Sequence, residues 1–431
     1  MLGACAAGTG NCDGMASNGC EASLATDRNH CGRCGNACLG QCRDGSCTPA
    51  ATVDRLTVIN TAAAAVNGTQ GTRTVTLLGT TALGLTAGTR VVIHQTQGPP
   101  TMAGSYEFNT VTAASGATVQ LATPLRANYT TAGAAHAQLV VVQTYDNLVI
   151  GPTGELTAPE WNGSTGGILA VEASGIVLVD GVIRMSGRGF RGPSRGCPVA
   201  GASNRCRYGR QGESWTGLGN VGPMPNAGGG GGGGQGEDCG SGGGGSYGPN
   251  ATSGSPGDCG RPGSTSGFCA LRCPNEGGTA GMAYGATSLA HTIHLGSGGG
   301  EGGMDEDGDI PGAGGNGGGV ILLRAGGAIT VRGTIAADGS DGRNGDQFSC
   351  GGNGCGMGGG GGGAGGGIWI AAPSVNLGTG HVTATGGAGG QCSCRIFDIR
   401  RAAPAGRGGD GRIAIASPVV TGGTIPPHEA P

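Results

Sequence analysis

Lysine is absent from this chain of 431 residues: its 24 basic residues are all arginine, set against 27 acidic ones, for a net charge of −3. No basic patch is present, so nucleic-acid binding is not expected. Without lysine there can be no G-x-x-x-x-G-K-[ST] phosphate loop. No apolar run approaches about 18 residues, so no transmembrane span is expected. Helical periodicity is missing from residues 52–150. Aromatic residues make up 3% of the chain and charged residues 12%, which limits any conventional core. His291 and His294 lack the H-E-x-x-H pattern of a zinc protease and read as surface histidines. Gly35 follows Cys34 where a c-type haem site needs histidine. The 21 prolines follow no G-X-Y period, which excludes collagen.

What is abundant is glycine, 102 residues, together with 18 cysteines. So much glycine makes folding entropically costly, and cross-links are the natural compensation. The cysteines fall into two even clusters: Cys5, Cys12, Cys20, Cys31, Cys34, Cys38, Cys42 and Cys47, then Cys197, Cys206, Cys239, Cys259, Cys269, Cys273, Cys350, Cys355, Cys392 and Cys394. All are disulfide candidates, and an oxidising, extracytoplasmic compartment follows. A zinc site at Cys34, Cys38 and Cys42 is the alternative by spacing. The opening Met1-Leu2-Gly3-Ala4-Cys5 resembles a bacterial lipobox without its upstream regions. This points to a longer precursor, with Cys5 either lipidated or a disulfide partner.

Residues 1–48 form a Cys-rich module too short to fold without staples. Its Cys12-Asp13-Gly14, Asn18-Gly19-Cys20-Glu21 and Cys31-Gly32-Arg33-Cys34-Gly35-Asn36-Ala37-Cys38 resemble the Cys-rich repeats of myxobacterial secreted proteins and the related plant stigma-specific modules. That resemblance implies export and no activity. Residues 52–150 alternate as short strands, among them Arg90-Val91-Val92-Ile93-His94-Gln95 and Gln138-Leu139-Val140-Val141-Val142. They read as a small β-sandwich-like or barrel-like domain.

Residues 151–425 contain an internal repeat. Gly167-Ile168-Leu169-Ala170-Val171, Gly319-Val320-Ile321-Leu322-Leu323, Gly367-Ile368-Trp369-Ile370-Ala371 and Arg412-Ile413-Ala414-Ile415-Ala416 align with starts at 168, 320, 368 and 413. Second and third short strands follow in each unit. Three strands per unit divided by glycine turns predict a mainly-β fold, a parallel β-solenoid of the β-helix type. Glycine-rich insertions interrupt it, the longest at about 187–317. They are read either as disordered or as a disulfide-stapled bundle of polyproline-II helices whose backbones pair in place of a core. Residues 426–431 are a tail. Leu156-Thr157-Ala158-Pro159-Glu160-Trp161 through Ile168, Gly187-Arg188-Gly189-Phe190-Arg191-Gly192 and Leu295-Gly296-Ser297-Gly298-Gly299-Gly300 resemble bacterial secreted glycine-rich β-helix proteins. In composition alone this half also resembles the polyglycine-II adhesins of phage tail-fibre tips. Both resemblances imply contact with surfaces.

Several residues are candidates for chemistry. Asp305, Asp307 and Asp309, with Glu301 upstream, match the first half of a Ca²⁺ loop, although Asn316 stands where the bidentate glutamate belongs. A solvated acidic turn is the alternative, and Asp13, Asn18 and Glu21 form a weaker version. Glu172, Asp180, Asp338 and Asp341, near Arg184, Arg324 and Arg332, are the carboxylates that a β-helix glycosidase or lyase would need. Trp215 and Tyr247 flank glycine runs and are contact candidates for sugar rings, while Trp369 reads as core. The resulting expectation is a non-catalytic structural or adhesive protein of the bacterial cell surface or exterior. It would contact a glycan, a cell-surface component or itself, with no cofactor beyond a structural Ca²⁺. Alternatives are a carbohydrate-active β-helix enzyme and a protomer of an extracellular filament.

Overall fold

The computed structural model describes residues 5–15, 17–27, 29–36, 38, 42–47, 50–79, 83–193, 208–234, 240–254, 277–303, 310–345, 357–396 and 399–429. The described residues contain strands and no helix. One parallel sheet runs Gln143–Tyr145, Ile168–Ala173, Val320–Ala325, Gly367–Ala371, Arg412–Ala416, in the same order in space as in the chain. A second sheet passes from Ala51–Val53 through Leu148–Ile150, Val177–Val179 and Ile329–Val331 to Val375–Thr383. It returns through Thr334–Ala336, Val182–Arg184 and Glu155–Thr157 to Leu56–Val58. The strand Val375–Thr383 is long enough, at nine residues, to close both rows. Every pairing in these two sheets is parallel, so each three-strand unit stacks on the one before it.

Burial explains why the first strand of each unit is apolar without alternation. Leu169, Val171, Ile321, Leu323, Ile368, Ile370, Ile413 and Ile415 face the interior between the sheets. Ile168, Ala170, Val320, Leu322 and Ala414 face outward but are covered by Val92, Tyr106, Val140 and Val142. A sheet buried on both faces needs apolar residues at every position. The register corrects the sequence alignment by one residue. Val320 pairs with Gly367 and Gly367 with Arg412, so the units start at 168, 320, 367 and 412. Gly367 occupies the place of Ile168 and Val320 because a Cβ there would run into the Ile293 side chain. Trp369 consequently lies on the outward face, half-buried, with its ring centroid 6.3 Å from that of Phe108.

The region 52–150, expected to be one sandwich-like or barrel-like domain, is divided. Residues 51–58 and 143–157 belong to the parallel stack, and six antiparallel strands between them close a barrel. Their order is Tyr106–Ser115, Thr118–Leu121, Thr74–Leu78, Ala63–Gly68, His136–Val141 and Arg90–Gln97. Closure removes the open edges a sandwich would leave. Where the barrel meets the stack, two amides stand in for a missing strand. Asn60 donates to Ala170 O at 3.0 Å and accepts from Ala170 N at 3.0 Å. Gln138 does the same for Gly166, at 3.0 and 2.9 Å.

The barrel and all three glycine-rich insertions leave after the last strand of a unit and return at the first strand of the next. Because the units stack in register, these excursions emerge side by side. Their backbones then pair with a period of three. In the run 358–366, Gly360, Gly363 and Gly366 donate to the carbonyls of Arg343, Ser340 and Ala337. Gly361 and Ala364 donate to Gly300 and Ser297, and Gly362 and Gly365 to Gly406 and Gly409. Each run therefore touches three neighbours in rotation. Run 228–234 repeats the pattern: Gly231 and Gly234 donate to Gly298 and Glu301, Gly232 to Thr279 and Gly233 to Gly222. A Cβ on Gly363 would overlap the carbonyl oxygen of Asn316, so the spacing of the runs itself demands glycine.

The N-terminal module is closed by four disulfides, Cys5–Cys20, Cys12–Cys34, Cys31–Cys42 and Cys38–Cys47. The Cys5 sulfur is thus committed to a disulfide, against the lipobox reading. The same holds for a zinc site: Cys34, Cys38 and Cys42 are all paired, as are the sulfurs of Cys12 and Cys34 beside His30. Of the later cysteines, Cys197, Cys206, Cys239, Cys259, Cys269, Cys273, Cys350 and Cys355 lie outside the described residues. Cys392 and Cys394 sit on the hairpin strand Gln391–Ile396.

Candidate functional site

The two aromatic contact candidates point inward. Tyr247 is fully buried, which corrects its reading as a surface residue. Its ring stacks on Tyr284 with centroids 5.0 Å apart, and its hydroxyl accepts from the backbone N–H of His294 at 3.2 Å. Trp215 is half-buried 6.3 Å from Tyr284, and its buried Nε1 has no hydrogen-bond partner among the described residues. The glycine runs have few side chains to bury, so the aromatics collect where barrel, stack and lattice meet. His94 lies there too, its ring bonded to Thr96 Oγ1 and Ile293 O, both at 2.9 Å. Burial lowers its pKa from 6.5 to about 4 and that of fully enclosed His294 to about 3. His291 by contrast is exposed, as expected, and contacts Arg126.

Glu213 anchors the same junction and was not singled out from the sequence. It is 3% exposed and accepts from Gln97 of the barrel at 3.0 Å, Trp161 at 3.1 Å and Arg191 at 2.8 Å. This bonding raises the Arg191 pKa. Nothing in its neighbouring sequence marks it, because its partners lie 22 to 116 residues away.

The carboxylates proposed for sugar chemistry divide into two groups. Asp338 and Asp341 act as backbone acceptors, Asp338 from Thr385 N and Asp341 from Ala388 N, both at 2.7 Å. Asn344 continues this ladder to Gln391 N at 2.7 Å. The spacing D-x-x-D-x-x-N matches the three-residue period of the lattice, a signal visible in the sequence. Asp180 pairs with Arg332 at 3.5 Å, and Glu172 with Arg324 at 3.5 Å, each one unit along the stack. Arg184 pairs with Glu155 at 3.0 Å.

Glu172 also lies in a cleft of about 700 Å³ between barrel and stack, lined by Arg90, Thr144, Tyr145, Asp146, Ser174 and Arg324 among others. Tyr145, Ala173 and Ala325 end three adjacent strands of the first sheet, so this wall is a set of strand ends in register. Arg90, at the start of its barrel strand, grips Glu172 with two bonds of 2.7 and 2.8 Å and gives its remaining Nη to Thr110 at 2.8 Å. The bond to Glu172 raises the Arg90 pKa, and burial raises that of Tyr145.

Asp305, Asp307 and Asp309 lie outside the described residues. In the N-terminal module, Asp13 accepts from Met15 N at 2.8 Å and Asn18 Nδ2 at 2.7 Å, and Glu21 from Cys12 N at 2.6 Å. The bonds to Asp13 lower its carboxyl pKa, and that of Glu21 is lowered first by its own backbone N–H and then by those of Cys12 and Asp13.

No family model matches the chain, and no curated protein matches it. Among solved structures, similarity is found to the Gp54 tailspike of Acinetobacter baumannii bacteriophage AP22 in complex with capsular saccharide, at 11% identity and a TM-score of 0.16. The tailspike gp49 of Pseudomonas phage LKA1 follows, at 11% identity and 0.15. The alignments cover 84% of this chain but 56% and 61% of theirs, so the chain spans little more than half of either tailspike. At these scores neither likeness carries an argument. Among the described residues no helix is long and apolar enough to cross a membrane.

Proposed function

We propose that the chain is a bacterial extracellular or cell-surface protein that presents a rigid glycine-rich platform to a glycan, a cell surface or other copies of itself. In this reading the stacked units are a parallel β-solenoid and the glycine runs are polyproline-II helices, which have three residues per turn. The observation that carries it is the three-way backbone pairing of run 358–366 with its neighbours. Such a lattice holds its shape without side chains, so the side chains on its outer surface are free for contact. Four disulfides in the N-terminal module fit an oxidising compartment. A structural Ca²⁺ on Asp305, Asp307 and Asp309 belongs to the same proposal.

The test uses the oxidised full chain against immobilised glycans and whole bacterial cells, with hydrogen exchange run in parallel. Binding without released product, together with slow exchange in 228–234 and 358–366, is the expected result. Exchange as fast as in an unstructured peptide removes the platform. Release of oligosaccharide that is lost in Asp180→Ala favours the enzyme, and sedimenting assemblies favour the filament.

A further inference from the structure

The cleft between barrel and stack holds four charged groups, and they are not equally engaged. Arg90 spends three of its N–H donors on Glu172 and Thr110, and it takes up both oxygens of Glu172. That pair is largely buried, with side-chain exposures of 26% and 14%, and is locally neutral. Arg324 is different. Its side chain is 56% exposed and makes one contact among the described residues, from Nη1 to Glu172 Oε1 at 3.5 Å. Arg324 lines the cleft, with Glu172 touching its guanidinium at Nη1. Asp146 also lines the cleft, with a carboxylate whose hydrogen bond from the Ser174 hydroxyl is long, 3.4 Å. Thr144 adds a hydroxyl, while the half-buried Tyr145 packs against the apolar interior.

This is one lightly engaged fork-shaped cation, one acceptor carboxylate and hydroxyls. Arginine's planar fork suits a carboxylate. The Asp146 carboxylate in the same lining disfavours a phosphate dianion, and it suits hydroxyl donors. We propose that the cleft binds a uronic-acid unit of an acidic saccharide. Arg324 takes the sugar carboxylate, and Asp146 and Thr144 take ring hydroxyls. The assignment rests on the surface-contact reading above and names the class of glycan that reading leaves open.

The test is calorimetric titration of the full oxidised chain with a uronic-acid trisaccharide and with its carboxyl-reduced counterpart, with inorganic phosphate as a control ligand. The expected result is binding of the acidic trisaccharide that weakens with salt. The reduced sugar and Arg324→Gln should each lower affinity about 10- to 100-fold, the range of a charge-assisted pair. Arg332→Gln, which alters the equivalent exposed pair on the other sheet, should leave affinity unchanged. Arg324 is exposed, and an unchanged melting temperature for Arg324→Gln verifies folding. Equal affinity for the reduced sugar, an unaffected Arg324→Gln protein, or tighter binding of phosphate overturns the proposal. Failure to bind the trisaccharide while cells or neutral glycans are still bound overturns it and spares the platform reading. Failure against all surfaces sinks both.

Discussion

Replacing Gly363 by alanine tests the lattice at a crowded point. The new Cβ would overlap the carbonyl oxygen of Asn316, a backbone atom that cannot swing aside. The runs must separate, and the bonds most directly strained are Gly363 N to Ser340 O and Gly387 N to Gly363 O, 2.9 and 2.8 Å long. A buried bond left unmade costs about 1–3 kcal/mol, so the pair amounts to about 2–6 kcal/mol. Alanine recovers about 0.4–1 kcal/mol by restricting the unfolded chain. The net loss is therefore a few kcal/mol. Gly423 is the control. Its φ is not positive and no atom lies within 4 Å of an added Cβ, so Gly423→Ala should stabilise slightly, by less than about 1 kcal/mol. A chain built of barrel, stack and lattice need not unfold in one step, so local hydrogen exchange is the right assay. In Gly363→Ala, protection across 360–366 should fall at least tenfold, since about 1.4 kcal/mol is a factor of ten. Unchanged protection there, or equal damage from Gly423→Ala, refutes the claim that backbone contact dictates glycine.

Other expectations follow from the junction and the module. Glu213→Gln keeps the shape but removes the charge that Arg191 and Trp161 share, and should cost about 2–4 kcal/mol by thermal melting; a change under about 0.5 kcal/mol would show that these contacts are incidental. His94 is neutral in the fold with its pKa lowered to about 4, while the unfolded chain takes up its proton near 6.5. Stability is therefore full above about pH 6.5 and declines as pH falls toward 4, by about 3 kcal/mol at most from this group. Near-ultraviolet circular dichroism against pH follows the decline, and His94→Gln should reduce it, leaving the share carried by His294. Reduction should free residues 5–47 for proteolysis, because their cross-links close short loops of 9 to 22 residues, each stabilising by about 3 kcal/mol. Mass spectrometry of the fragments settles that point.

The repeat was legible because burial on both faces writes continuous apolar runs such as Ile168-Leu169-Ala170-Val171 and Val320-Ile321-Leu322-Leu323. The one-residue slip at Gly367 was hidden, since its cause is the distant Ile293 side chain. The placement of 51–58 and 143–157 in the stack was hidden for a similar reason. Strands of three residues carry too little pattern to separate them from the barrel strands beside them. Tyr247 looked exposed because its neighbours are glycines, yet a lattice with no side-chain core pushes its aromatics to the junctions. The cleft was half legible: Glu172 and Arg324 were marked as carboxylate and cation. Arg90, 82 residues from Glu172, was not, since only barrel closure brings it there.

The shared exit corner has a further consequence. Successive units hand the chain outward at one place, and what lies beyond that corner ranges from an antiparallel barrel to glycine runs of different length. The stack behaves as a rack with identical slots. A cargo segment inserted there alters neither the strand register nor the apolar interior, provided its two ends meet at that corner. Lineages of such chains would then diversify by exchanging what hangs in the slots while the rack stays constant.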